Sequence, residues 1–214
     1  SFEEVETPVW NPVVTTYDVK DENGTHLGLF MMDMYARDSK RGGAWMNTFR
    51  SASDIQGNRV RPLVTNNMNL TLPPAGEPTL MRFDEVVTLF HEFGHGLHGL
   101  MTQIRYENFS GVDGPRDYTE FPAQMLEHWA EQKQVLAQYA KHHETGAVIP
   151  DELVEKMLKA STFNQGFKTT EFIAASLLDL AWHSLTPDEA AKITDAAEFE
   201  RESLESYGML AEIE

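Results

Sequence analysis

The chain changes its hydrophobic rhythm once, near residue 80, and that switch restricts its fold more than any other feature. Before it, short β-branched and apolar runs alternate with turn residues. After it, apolar residues recur at helical spacing over long stretches. Residues 13–19 and 27–32 flank Asp21-Glu22-Asn23-Gly24, a pattern that predicts a β-hairpin. Residues 42–46 and 63–70 are further strand candidates, and Pro73-Pro74-Ala75-Gly76 with Pro78 closes this part. Helices are expected over 83–103 and 118–143, from Pro150-Asp151-Glu152 onward, and over 167–185 and 188–207, with Gly208 as a cap. The switch can mark a domain boundary or the seam of one α+β core. The seam is the simpler arrangement: a predominantly helical α+β catalytic domain over 1–214, with 1–80 as its β-rich part and 81–214 as its helical part.

Charge and cysteine content narrow the chemistry. Seventeen Lys and Arg stand against 34 Asp and Glu, a net charge of -17. So acidic a surface repels phosphate backbones, which excludes nucleic acid as the expected partner. There is no cysteine. A disulfide scaffold, a thiol nucleophile and a thiolate metal site are therefore all excluded, and any metal must be held by His, Asp or Glu. No run of about 18 apolar residues occurs, so no membrane span is expected. Ser1-Phe2-Glu3-Glu4 resembles neither a signal nor a transit peptide, and cytoplasm is the expected compartment.

His91-Glu92-Phe93-Gly94-His95 is an H-E-x-x-H motif inside the first helical segment. Residues i and i+4 share a helix face, about 5–6 Å apart at Cβ, so both imidazoles can converge on one Zn²⁺. Glu92 lies about 100° further round, free to take a proton from a water rather than bind the metal. Shuffling this composition gives roughly 0.03 such matches per chain, so chance is a poor explanation. Gly94 and Gly96 each cost a helix interior about 1 kcal/mol relative to Ala. Close backbone packing, either around a metal pocket or between two helices, is a reason to accept that cost.

A third ligand is required. A third His six residues beyond His95 is ruled out, because position 101 is Met101. His98 lies one turn too far along to close a site with His91. The remaining candidates are Glu107, Asp113, Asp117, Glu120 and Glu127. Asp117 also suits a helix N-cap. Glu120 and Glu127 are two turns apart on one helix face. One can bind the metal while the other holds a histidine through its second ring nitrogen. Spacing slightly favours Glu120.

The stretch from Ser110-Gly111-Val112-Asp113-Gly114-Pro115-Arg116-Asp117 through Tyr118-Thr119-Glu120-Phe121-Pro122 to Glu127-His128-Trp129 resembles the thimet-oligopeptidase family of zinc metallopeptidases. Pro115-Arg116-Asp117 ahead of Glu120-Phe121-Pro122 is closest to its bacterial peptidyl-dipeptidase branch. The likeness extends through Lys40-Arg41-Gly42-Gly43-Ala44-Trp45, residues 161–166 and residues 178–183. It implies a zincin-like core with a small sheet beside the active-site helix. It implies His91, His95 and Glu120 as zinc ligands, one Zn²⁺ per chain, and Glu92 as general base, which leaves Glu127, by its spacing from Glu120, as the candidate support for a histidine. It also implies that an edge strand holds the substrate backbone, with Gly43, Ala44 and Trp45 as candidates.

The activity so implied is hydrolysis of short peptides with release of C-terminal dipeptides. The alternatives are endo-acting cleavage by the same machinery, or zinc and peptide binding without turnover. The last arises because the family continues with a Gly/Tyr-rich segment that residues 186–214 do not match, as expected of an internal fragment. Trp129 and Trp182 are expected to anchor the core, and His142-His143 to close a helix.

Overall fold

The computed structural model describes residues 1–209. Two compact units divide the chain, Ser1–Ile149 and Pro150–Glu214. The first holds seven strands: β1 (Phe2–Glu4), β2 (Thr15–Lys20), β3 (His26–Tyr35), β4 (Trp45–Arg50), β5 (Ser53–Ile55), β6 (Asn58–Val60) and β7 (Leu63–Leu70). It also holds three α-helices, α1 (Phe83–Met101), α2 (Phe121–Ala130) and α3 (Lys133–Tyr139).

The expected hairpin forms: β2 and β3 pair antiparallel, with Thr15 opposite Met32. Its turn is held by the Asp21 carboxylate, which accepts from the backbone N–H of Asn23 and Thr25, each at 2.8 Å. Gly24 takes φ +80°, which only glycine adopts without strain. The main sheet runs β1-β2-β3-β7-β4, with β3 and β7 parallel and the other neighbours antiparallel. Because β7 enters between β3 and β4, β4 is left as an edge. The strand expected over 42–46 starts only at Trp45, since Gly42 and Gly43 form a bend with Gly43 at φ +84°. Gly43 and Ala44 therefore precede the edge strand, and Trp45 opens it.

One face of the sheet lies on α1. Val19, Phe30, Val64 and Leu100 are its buried centre, with Phe93, Met32 and Met46 packed against them. The change of pattern near residue 80 is thus a seam inside one core.

The helix expected over 118–143 is broken. Residues 116–120 form turns, α2 ends at Ala130, and Gln132 is extended before α3. No Gly or Pro marks that break. Folding back lets Leu136 be buried, brings Tyr139 to 5.9 Å from the Phe90 ring and lets its hydroxyl donate to the Ala130 carbonyl at 2.7 Å. His142 and His143 consequently lie in a turn beyond α3, where His142 Nδ1 accepts from the N–H of Glu144 and Thr145. Trp129 is 51% exposed and is no core anchor. It follows Phe121 and Met125 along the outer stripe of α2, whereas Ala123 and Ala130 face inward.

The second unit holds α4 (Asp151–Ser161), α5 (Gln165–His183), α6 (Pro187–Ala190) and α7 (Ala196–Ser206). The helix expected over 188–207 is two helices. Asp195 stops and restarts the chain, its carboxylate accepting from the N–H of Ala197 and Glu198. Trp182 packs on Phe199 at 4.2 Å, and Gly208 caps α7 at φ +70°. Among the described residues, no helix is long and apolar enough to cross a membrane.

A buried charge cluster ties the first unit together. Asp33, near the end of β3, accepts from Arg37 through both oxygens at 2.8 Å, from Trp10 Nε1 at 2.8 Å and from Lys40 Nζ at 3.0 Å. Burial alone pushes its carboxyl up, but the bonds from Arg37, Trp10 and Lys40 overcome that and hold it at about 2. Burial also lowers the Lys40 ammonium below the usual lysine range, against the pull of Asp33. All of its partners are acceptors, so the pair is ionic.

A carboxylate with a depressed folded pKa stabilises the fold above its unfolded pKa, and that contribution is lost as pH falls through the folded value. Asp33 should therefore contribute about 2 kcal/mol above pH ~4, fading toward pH ~2. Denaturant melts of the wild type and Asp33→Asn at stepped pH test this. The gap between them should close as pH drops across that window, and a gap independent of pH would refute it.

Candidate metal centre

The helix that carries His91 and His95 starts with acids, Asp84 and Glu85, that suit its dipole, and Glu85 accepts from the Arg82 N–H at 2.7 Å. Glu92, Gly94, His95, Gly96, Gly99 and Leu100 are its buried residues, and Gly96 and Gly99 lie against the sheet. His91 and His95 also face α2, whose N-cap residue is Glu120. Asp117, a cap candidate by sequence, falls in the preceding turn.

Gly94 sets how near α2 can come. A Cβ there would lie 2.5 Å from Ala123 Cα and 2.8 Å from the Pro122 carbonyl oxygen, so the two backbones touch. The two reasons for a glycine therefore coincide: helix–helix contact is what builds the cluster. On the sheet side, a Cβ at Gly96 would meet Asn66 Oδ1 and the Phe30 ring at 3.1 Å.

Across the helix contact, Glu120 Oε2 lies 3.2 Å from His91 Nε2 and 3.3 Å from His95 Nε2. The three candidate ligand atoms all fall within 4.8 Å of one another. Ligands at about 2.0–2.1 Å from a tetrahedral zinc stand about 3.3 Å apart, which matches those two separations. Glu127 Oε1 sits 2.6 Å from His91 Nδ1. A carboxylate accepts, so His91 Nδ1 donates to Glu127, and in the neutral ring this leaves Nε2 as the metal-binding nitrogen on the Glu120 side. With both rings neutral and both Nε2 atoms unprotonated, the three atoms can share one cation. Two imidazoles and a carboxylate are a donor set suited to zinc.

Glu92 does not join this set. It is 6% exposed, and its Oε2 is buried without a hydrogen-bond partner. Burial pushes its carboxyl above the ordinary glutamate range and the charge of Glu120 adds to this, while His91 and a backbone hydrogen bond from Met46 pull it down. Burial is also the largest influence on His95, lowering its pKa against the pull of Glu120. His98 lies outside the cluster, against Tyr118, lowered by burial alone. Glu107 and Asp113 sit in 3-10 turns and are not part of the cluster.

Met46, the neighbour of Trp45 on β4, was not legible as part of the site, because a backbone N–H leaves no mark on composition. Lys40 and Asp33 also escaped the sequence reading as a pair. An acid inside the apolar run of β3 was the available signal.

Residues 1–212 match peptidase family M3. The chain belongs to that family. An M3 relative, a dipeptidyl carboxypeptidase of Escherichia coli, is 47% identical over 207 residues, covering 97% of this chain and 30% of that protein. An oligopeptidase A of the same organism is 38% identical over 196 residues, covering 90% of this chain and 29% of that protein. An organellar oligopeptidase A of Arabidopsis thaliana is 39% identical over 183 residues, covering 83% and 23%. The chain thus spans less than a third of the length of these M3 relatives.

Two substitutions probe the cluster. Gly94→Ala gains helix propensity but forces α2 away, and should cost about 1–3 kcal/mol in a denaturant melt. A more stable variant would refute the backbone contact. Glu127→Ala leaves the His91 Nδ1–H without its acceptor and should weaken zinc binding about 10–100-fold in chelator competition, with fold stability little changed.

Proposed function

We propose that this chain carries the zinc-binding and proton-transfer core of an M3 peptidase that hydrolyses peptide bonds in short peptides. The observation that carries the reading is the cluster itself. Three candidate ligand atoms from His91, His95 and Glu120 converge, with the buried Glu92 carboxylate, whose Oε2 has no hydrogen-bond partner, on the adjoining face of the same helix. The helix lying under a small sheet fits a zincin-like arrangement.

His91, His95 and Glu120 would hold one Zn²⁺. When bound there, the ion supplies Lewis-acid polarisation of the scissile carbonyl and makes a water easier to deprotonate. The Glu92 carboxylate accepts the proton of the attacking water as the new C–O bond forms. It then delivers that proton to the nitrogen of the departing amine as the C–N bond breaks. Burial favours this role, because it raises the basicity of a carboxylate. Glu127 keeps the His91 lone pair turned to the ligand side. Beside Glu92 runs β4, whose outer edge is free among the described residues. An extended peptide adds to such an edge, with Trp45 on the strand and Gly43 and Ala44 at its approach.

Release of C-terminal dipeptides is the preferred mode, since the relative at 47% identity is named a dipeptidyl carboxypeptidase. Endo-acting cleavage is the second reading, supported by relatives named oligopeptidase A.

Elemental analysis should find about one zinc per chain in the wild type and in Glu92→Gln, and none in His91→Ala. Glu92→Gln should lose peptide turnover by at least about 100-fold. Appreciable hydrolysis by that variant would remove Glu92 from its role. A peptide with an amidated C-terminus separates the two modes. Resistance supports dipeptide release, and cleavage supports endo-action.

A further inference from the structure

The loop that leads into β4 is held by a buried cation. The Lys40 side chain is 2% exposed. Its Nζ donates to the Asp33 carbonyl at 2.7 Å, to Asp33 Oδ1 at 3.0 Å, to the Tyr35 carbonyl at 3.1 Å and to the Met68 carbonyl. All of these acceptors lie toward the C-terminal ends of the parallel strands β3 and β7. A second anchor follows, with Asn69 Nδ2 donating to the carbonyls of Arg41 at 2.8 Å and Gly43 at 2.7 Å. Lys40 Nζ and the Arg41 guanidinium stand 5.8 and 5.7 Å from the centre of the Trp45 ring.

The same carboxylate reaches the other end of the strand. Trp10, which donates to Asp33 Oδ2, packs its ring 5.4 Å from Phe49. Asp33 is therefore linked to the first residue of β4 through Lys40, and to the fifth through Trp10. A loop that merely connected two strands would have no need of an ammonium taken out of water, which is costly unless every proton is matched.

We infer that Lys40 is a positioning residue, which with Asp33 and Asn69 sets the backbone of residues 41–45 so that the free edge of β4 is pre-formed beside Glu92 for a peptide strand. The inference rests on the peptidase reading given above. Lys40 touches no substrate; it acts through the loop. Pre-formed, the edge binds a peptide without the cost of ordering the loop, and that cost appears in affinity when the clamp is lost. The cluster on α1 and α2 shares none of these contacts, so zinc binding and the chemical step keep their parts.

The test uses the zinc-loaded full chain and a short peptide, with peptide affinity measured in a Glu92→Gln background and KM and kcat in its absence. Lys40→Met keeps the length of the side chain and removes its protons. It should weaken affinity and raise KM about tenfold, with kcat within about threefold and zinc still at about one per chain. Asn69→Ala removes only the second anchor and should shift the same quantities about threefold. It decides the matter if Lys40→Met loses its cooperative unfolding transition. Folded variants that bind peptide like the parent overturn the inference alone. So does zinc lost in step with affinity. A parent that binds no peptide overturns the peptidase reading and this inference with it.

Discussion

Two helix backbones in contact at Gly94 are the constraint on which the cluster depends. Helices ordinarily pack with axes 8–10 Å apart, because side chains intervene. At that spacing a glutamate at the start of one helix must extend fully to reach an imidazole on its neighbour. Without a Cβ at Gly94, the Pro122 carbonyl and Ala123 Cα rest against α1, and two glutamates of one segment then meet one helix. Glu120 reaches both Nε2 atoms from the N-terminal end of α2, and Glu127, two turns on, reaches His91 Nδ1. A propensity cost of about 1 kcal/mol in α1 is the condition for that convergence.

Much of this was legible in the sequence, because it follows periodicity. The i, i+4 histidines, the offset of Glu92, the β2–β3 hairpin and the β-to-α seam all obey local rules. The third acid did not. Spacing left five candidates, with Glu120 only slightly ahead, because which carboxylate reaches the histidines is decided by how closely α2 lies on α1. The break between α2 and α3 escaped for a related reason. No Gly or Pro marks Glu131-Gln132, and the chain turns there because Leu136 and Tyr139 find partners only by folding back. Trp129 departs from the expected core anchor because its face of α2 is the exposed one.

Charge is distributed with an asymmetry that the net value of -17 conceals. The surface is acidic, yet one of the most thoroughly buried charges of the first unit is a cation, Lys40. It lies where carbonyls at the ends of two parallel strands crowd together, a place that only a multiple donor satisfies. Asp33 balances it, and the depressed pKa of that acid measures how completely the donors around it have replaced water. The candidate metal cluster inverts this pattern. There two imidazoles and a carboxylate crowd together, and the group proposed to join them is a metal ion.

The two faces of α1 then divide the proposed chemistry. His91 and His95 look across Gly94 to α2, which brings the remaining ligand and its support. Glu92, about 100° further round, looks with Gly96 and Gly99 toward the sheet. Glycines on that side let the helix lie close under β7 and β4, since a Cβ at Gly99 would come within 2.9 Å of Met46 Cε. The closeness that seats the helix also brings the Met46 backbone to the Glu92 carboxylate. The proposed proton acceptor and the proposed peptide-binding edge are therefore joined directly, one residue beyond Trp45. A peptide laid along that edge has its backbone set by the strand that also orients Glu92.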